Sequence, residues 1–291
     1  MQLSIEEVQK EIEAAAEADW EAGETSESAL SDVAASARVG YVPGPDEPSL
    51  EEAEQIARAA LEGQDEVAMA VGAPPGFDWR NVGGKNFVTP IKNQESCGSC
   101  VAFGSIAPME SLIRIKHDDP NYAADLSEAH LFFCYGPKAG AGRCPAGGWS
   151  PEPAYTSMKT GVVDEDCFPY TPVDQPCKLC TGWQNRLTKI TGWSKPTTIA
   201  GIKDLLARTG PATACFTVYE DFMHYKSGVY RHVAGAQIGG HCVCIVGYDD
   251  RQSCWIAKNS WGTGWGEGGF FRIAYGQCGI DNMMWVASGI A

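Results

Sequence analysis

Nowhere in its 291 residues does the chain run 18 apolar residues without interruption, so the sequence offers no membrane-spanning helix. Positive charge is scarce at the start: residues 1–72 hold 18 Asp and Glu against Lys10, Arg38 and Arg58 alone. That deficit excludes a phosphate-backbone partner there, and the net charge of −15 gives no basic face for nucleic acid. The opening "MQLSIEEVQKEIEAAAEADW" is not basic and then apolar, so it does not read as a secretory leader. Histidine is also scarce, five in all at 117, 130, 224, 232 and 241, and no His-x(3–5)-His arm exists to complete a zinc site. No metal or cofactor is expected.

The charge is unevenly placed. All of the excess lies in residues 1–72, while the rest balances 19 acids against 19 bases. The sequence therefore divides into an acidic extension, 1–73, and a neutral Gly- and Trp-rich body, 74–291. In the extension, Ser4 with Glu7 and Ser49 with Glu52 form two capping boxes. Ile5, Val8 and Ile12 follow the first at helical spacing, and Leu50, Ala53, Ile56/Ala57 and Ala60/Leu61 follow the second, with Gly63 as the stop. Residues 21–48, rich in Ser, Ala, Gly and Pro, read as linker. Two amphipathic helices need a surface to lie on, and the body supplies one.

The body begins after Pro74-Pro75. Apolar positions from Cys100 to His117 predict a buried helix, with Pro108 inside it and a kink expected near Gly104. "LSEAHLFFC", "SPEPAYTSMKTG" and "TIAGIKDLLARTG" predict three more helices. After Pro211 the texture changes to short β-branched and aromatic runs parted by Gly, Asp and Asn: "ATACFTVY", "GVYRHV", "HCVCIVGYDD", "SCWIAKNS", "GGFFRIAYG". Helices first and strands second predict an α+β body of two halves with a cleft between them. Twelve cysteines divide likewise. Seven crowd into 97–180 among Gly and Pro, whereas Cys215, Cys242, Cys244 and Cys254 sit in strand-like runs and read as small core residues.

"QESCGSCVAFG", Gln94 to Gly104, carries the chemistry. A zinc reading pairs Cys97-x-x-Cys100 with Cys177-x-x-Cys180, but 76 intervening residues are far more than a ribbon allows. A redox reading needs a βαβ unit that the start of the body lacks. A nucleophile reading fits better: Gly98-Ser99 break the chain before a helix, placing Cys100 at its positive end, where a thiolate is favoured. The base must come from elsewhere. His117 sits at a helix end beside Asp118-Asp119, His130 lies inside a helix, and His224 and His232 flank "YKSGVY" as turn or surface residues. His241 differs, because it follows Gly239-Gly240 and opens a buried strand. Asn259, 18 residues on and ending another strand, offers an amide oxygen to fix the imidazole tautomer, and Trp261 could shield that bond.

With these residues in place the body resembles the papain-like cysteine peptidases, closest to the cathepsin B and cathepsin C branches. "FDWR" resembles the start of the mature enzyme, and "PIKNQESCGSC" the oxyanion-glutamine and nucleophile block. "LSEAHLFFC", "CPAGG", "GGHCVCIVGYD" and "KNSWGTGWGEGGFFRI" follow in order. The gaps from Cys100 to His241 and Asn259 are 141 and 159 residues. The resemblance implies a two-lobed fold, helical on one side and an antiparallel β-barrel-like lobe on the other. It implies Cys100 as nucleophile, His241 as base, Asn259 as orienter and Gln94 in the oxyanion hole. Gly147, Gly148, Trp149, Gly240, Trp261 and Met283 would line the substrate, with an apolar preference beside Trp149 and Met283. It implies disulfides Cys97–Cys144, Cys134–Cys177 and Cys167–Cys180, with Cys278 free and about six free thiols in all. Two departures stand out: Val101 replaces the usual aromatic, and the extension lacks the long helices of most papain-type propeptides. Even so, the extension is expected to lie over the cleft as an intramolecular inhibitor, released by cleavage near 62–76. A peptide or protein substrate and a secreted or lumenal, lysosome-like location complete the expectation. No counterpart of cathepsin B's occluding loop is visible, which favours endopeptidase action. Exopeptidase, transpeptidase and a silent binding protein on the same fold remain the alternatives.

Overall fold

The computed structural model describes residues 3–62, 73–145 and 147–291. The expected helix stop at Gly63 and most of the expected cleavage region lie outside them. The extension contributes α1 (Ile5–Ala14), β1 (Glu21–Ala22), α2 (Asp32–Ser36) and α3 (Leu50–Glu62). Both capping boxes form: the Glu7 N–H donates to Ser4 Oγ at 3.2 Å while Glu7 accepts the Ser4 N–H at 2.8 Å, and Glu52 with Ser49 repeats the pattern. These contacts meet N–H groups that a helix start leaves without an internal acceptor.

The body follows as β2 (Gly76–Asp78), α4 (Cys100–His117), α5 (Pro151–Thr160), β3 (Trp193–Ser194) and α6 (Ile199–Arg208). Then come β4 (Ala212–Tyr219), β5 (Tyr225–Ser227), β6 (Val229–Tyr230), β7 (Gln237–Asp249), β8 (Cys254–Lys258), β9 (Phe270–Ala274) and β10 (Met284–Ala287). "LSEAHLFFC" forms a wide π-type turn over His130–Tyr135 instead of a regular helix. The strands pair in the order β3-β10-β4-β7-β8-β9-β6, with β2 also on β7. Every pair is antiparallel except β6–β9.

Two cores lie on either side of a seam. One packs Met109, Leu131, Phe132, Tyr155 and Met158 of the helical half, and the other packs Phe216, Phe222, Val243, Trp255 and Phe271 of the strands. Helix α4 is buried along Cys100–Ile113, as a helix apolar on all sides must be. It touches β7 so closely that a Cβ on Gly104 would stand 3.1 Å from the Cys242–Val243 backbone. The helix continues through Pro108. A proline cannot donate to the carbonyl four residues back, Gly104 O, and Thr213 Oγ1 of β4 donates to it instead at 2.7 Å. The proline's missing bond thus becomes a tie between the lobes.

A buried charge cluster also bridges the lobes. Lys92 Nζ meets Glu110 and Glu128 at 2.8 Å each, Thr89 Oγ1 donates to Glu110 at 2.6 Å, and Lys258 Nζ donates to Thr89 Oγ1 at 2.9 Å. Burial pushes Glu128 up to about 8 and lowers Lys258. Burial also acts against the charge on Lys92, but Glu128 and Glu110 outweigh it and hold the ammonium protonated. Removing one member of such a group would strand a buried charge, at about 3–5 kcal/mol.

Residues 21–48 are not a linker. β1 pairs with β5, and Trp20 just before it is 2% exposed, donating from Nε1 to Arg231 O at 2.9 Å among the rings of Tyr225 and Tyr230. Gly228, at φ +97°, makes room: a Cβ there would come 2.6 Å from Trp20 Cα. Val8 and Ile12 of α1 join the strand core. Within the segment, Glu27 (1% exposed) pairs with Arg38 at 2.6 Å, and Arg38 donates to Asn93 of the body at 3.0 Å.

Candidate active site

Cys100 is the first residue of α4, and its sulfur is fully buried. Backbone N–H groups of Cys242, Gly40 and Val101 point at it. Burial nevertheless pushes the thiol up to about 12, and those N–H groups only partly offset the loss of water. Cys97, three residues earlier, is bonded to Cys144.

His241 lies within β7, opposite Phe216 of β4, and is likewise fully buried. Its Nε2–H donates to Asn259 Oδ1 at 2.8 Å, and Trp261 covers the ring with centroids 4.8 Å apart. Asn259 is held in turn, its Oδ1 accepting the Ser260 N–H at 2.8 Å. Nδ1 is left without a hydrogen-bond partner, and the Arg38 backbone lies against the ring. Burial depresses the imidazole to about 4. Burial thus favours the neutral form of each group.

Gln94 is buried and fixed at both ends of its amide: Nε2 donates to Cys97 O at 2.9 Å and to Arg38 O at 3.0 Å, while Oε1 accepts from Ser260 Oγ at 2.6 Å. Tyr170 OH donates to the Gln94 carbonyl at 2.8 Å and also meets Ser99 Oγ. Sequence reasoning missed Ser260 and Tyr170, because only the folded chain brings residues 166 and 76 positions away to Gln94.

What excludes water is the extension. Gly40 and Tyr41 both donate to Gly240 O, at 3.0 and 2.9 Å; Trp149 donates to Gly40 O at 3.1 Å and Val42 to Trp149 O at 3.3 Å. The strand thus lies between Gly240 on one wall and Trp149 on the other. The approach needs glycine on both sides, since a Cβ on Gly148 would collide with the Gly40 carbonyl, and one on Gly40 with the Gly98 carbonyl. Gly147 turns instead toward the Arg143 backbone. Tyr41 lines a small pocket together with Leu50 and Ala53 of α3 and with Cys215, Asn282, Met283 and Trp285 of the body. "ARVGYV" gave one usable signal, a lone arginine in an acidic stretch.

Three disulfides pair as the resemblance implied, Cys97–Cys144, Cys134–Cys177 and Cys167–Cys180. A fourth corrects the reading of the strand cysteines as free core residues: Cys215 is bonded to Cys242, directly opposite it across β4 and β7. Cys100, Cys244, Cys254 and Cys278 are free, four thiols where about six were expected. One histidine brings a further correction. His224 is a buried residue, not a turn or surface one, and His232 places Nδ1 3.1 Å from the buried Asp221 carboxylate. His117 stacks on Tyr122 with centroids 3.7 Å apart.

A thiol at a helix start, an amide-oriented imidazole and a carboxamide aimed into one cleft between a helical and a stranded lobe define a cysteine hydrolase of the protease kind. The family model for papain family cysteine protease matches residues 73–288, and the chain belongs to that family. It is 36% identical over 232 residues to "Cathepsin B-like CP3" of Giardia intestinalis, covering 74% of each chain. It is 34% identical over 224 residues to "Cathepsin B" of Dictyostelium discoideum, covering 67% of this chain and 68% of that one. Among solved structures it is similar in fold to "proCathepsin B S9 from Trypanosoma congolense", with TM-score 0.75, 22% identity and 98% of each chain covered. It is also similar to digestive procathepsin L2 proteinase from Tenebrio molitor larval midgut, with TM-score 0.73, 26% identity and coverage of 97% of this chain and 90% of that one.

Proposed function

We propose that this cysteine protease is an endopeptidase made as a latent precursor, with residues 1–73 as its intramolecular inhibitor and 74–291 as the catalytic domain. The observation that carries the reading is the path of Arg38–Val42, whose backbone lies against Cys100 and His241 while its Arg38 carbonyl takes the Gln94 Nε2–H. That carbonyl sits where a scissile carbonyl would have to sit.

With the segment gone, the substrate carbonyl oxygen accepts from Gln94 Nε2 and the Cys100 backbone N–H. Water can then solvate a thiolate and an imidazolium. Cys100 sulfur attacks the carbonyl carbon, and the developing oxyanion is met by donors already in position. Asn259 Oδ1 holds Nε2–H, so Nδ1 is the nitrogen free to take the thiol proton and pass it to the leaving amine. A water then attacks the acyl-enzyme, gives its proton to Nδ1, and the acid leaves as sulfur regains a proton.

Endopeptidase action is supported by the path of residues 38–42. The segment reaches Asn93 through Arg38 at one end and pairs with Trp149 through Val42 at the other, and the chain continues beyond both. The residues around Tyr41 carry no charge, which supports an uncharged, bulky substrate side chain beside Met283. Four disulfides support an oxidising compartment, secreted or lumenal, and no helix among the described residues is long and apolar enough to cross a membrane. The experiment is hydrolysis of internally quenched peptides by the processed chain, with and without one equivalent of an epoxide thiol inhibitor. Loss of turnover with the adduct on Cys100 is expected. Full turnover by a Cys100→Ala chain would sink the proposal.

A further inference from the structure

Pro108 leaves one carbonyl of α4 without its helical donor, and a side chain from the other lobe takes that place. The carbonyl is Gly104 O, four residues before Pro108 and about one turn along from Cys100. Thr213 of β4 donates to it from Oγ1 at 2.7 Å, and both residues are buried. The Thr213 hydroxyl is steadied from α5: Tyr155 OH lies 2.8 Å from Oγ1 and donates at 2.9 Å to the carbonyl of Trp285, the residue opposite Thr213 on β10. Within the sheet Thr213 pairs with Cys244 of β7, and Phe216, three residues on, pairs with His241. A short path therefore runs from the helical turn that carries the sulfur, through Gly104 O and Thr213, to the strand that carries the imidazole.

We propose that Thr213 is a positioning residue for the cysteine–histidine pair: its hydroxyl fastens the first turn of α4 to the sheet and so fixes where the Cys100 sulfur stands relative to His241. The inference rests on the reading of those two residues as nucleophile and base. With an ordinary residue at 108 the helix would satisfy Gly104 O internally, and its first turn could shift against the sheet with no hydrogen bond at stake. Proline removes that option. Because the carbonyl is buried, any shift of the sulfur-bearing turn away from β4 strands a polar group. The close contact of Gly104 with the Cys242–Val243 backbone resists approach of helix and sheet, and the Thr213 bond resists their separation. Together they hold one spacing. Every part of this tie belongs to the body, so it acts in the processed enzyme as well as in the intact chain.

The test measures kcat, KM and melting temperature of the processed enzyme on an internally quenched peptide. Thr213→Val should lower kcat by about tenfold or more with KM within about twofold, since a small misplacement of reacting groups costs rate and not binding. Its melting temperature falls by about 2 °C or more, because Gly104 O loses its donor while Tyr155 keeps Trp285 O. Thr213→Ser, which retains the hydroxyl, stays within about threefold of the wild-type kcat. A Pro108→Ala/Thr213→Val enzyme separates positioning from stability alone. Its new backbone N–H at 108 donates to Gly104 O from inside the helix, so the melting temperature recovers while kcat stays low. Recovery of kcat along with the melting temperature overturns the proposal, and so does an unchanged kcat in Thr213→Val. Should Thr213→Val alone fail to fold, the double variant decides by its kcat. A wild-type chain that hydrolyses no peptide ends the protease reading and this inference with it, whereas wild-type turnover that Thr213→Val leaves untouched ends the inference alone.

Discussion

The extension and the body are built to different standards. The body has two continuous cores, a sheet whose central strands are buried and four disulfides. The extension has short elements, no disulfide among its described residues, and a few deep anchors: Val8, Ile12, Trp20, the Glu27–Arg38 pair and Ala57. Apart from Glu27, most of its acids face solvent and repel one another, which costs little while the anchors hold. That contrast suits the proposal that the body persists and the extension leaves. A lid fixed at a few points releases cooperatively once those points fail.

The largest effect that would break this comparison is on the body side. Cys100→Ala should lower peptide turnover of the processed chain about 10⁴-fold or more, read by steady-state hydrolysis, while the intact chain keeps its fold by circular dichroism. On the extension side, Trp20→Ala should cost docking about 3–5 kcal/mol, because a fully buried indole and its bond to Arg231 O are lost together. The intact variant should then hydrolyse peptides roughly 10²–10³ times faster than the intact wild type, with the melting temperature of the processed body unchanged. Gln94→Ala should reduce kcat by about 10²–10³ with little change in KM, as loss of one oxyanion donor does.

The smallest effect sharpens the comparison through pH. With the extension docked, burial holds His241 near 4, below its ordinary 6.5, so the docked form binds fewer protons. Docking is therefore favoured above about 6.5 and weakens as pH falls from there toward 4. Burial lowers His224 as well, which acts in the same direction, whereas burial raises Glu27 and opposes it. Cys100, raised to about 12 from 9, weakens docking only on the alkaline side. Amide exchange at Gly40 and Tyr41, corrected for its intrinsic pH dependence, should show greatest protection between about pH 6.5 and 9. Protection that grows steadily toward pH 4 would contradict the assignment.

The residues proposed as catalytic carry local signals in the sequence. Gly98-Ser99 before an apolar helix, Gly239-Gly240 before His241 and "KNSWG" around Asn259 each declare a backbone turn next to a reactive side chain. The capping boxes of α1 and α3 were legible for the same reason. What stayed hidden depends on register and on distant contacts. Cys215 could have faced Cys242 or Cys244, two residues apart on one face of β7, and only the pairing of Cys244 with Thr213 decides it. Residues 21–48 read as linker because Gly, Ser and Pro look alike in a loose tether and in a strand pressed between two walls. Gly40 is there for the close approach to Gly98, which no periodicity reports.

If Arg38–Val42 fills the cleft, it keeps Cys100 from reacting. The direct measurement is the alkylation rate of Cys100 by iodoacetamide at pH 7.5, followed by mass spectrometry on the intact chain and on the chain cleaved between residues 62 and 76. The account predicts no labelling of Cys100 in the intact chain and rapid uptake of one equivalent after cleavage and release. Equal labelling rates in the two forms would contradict it.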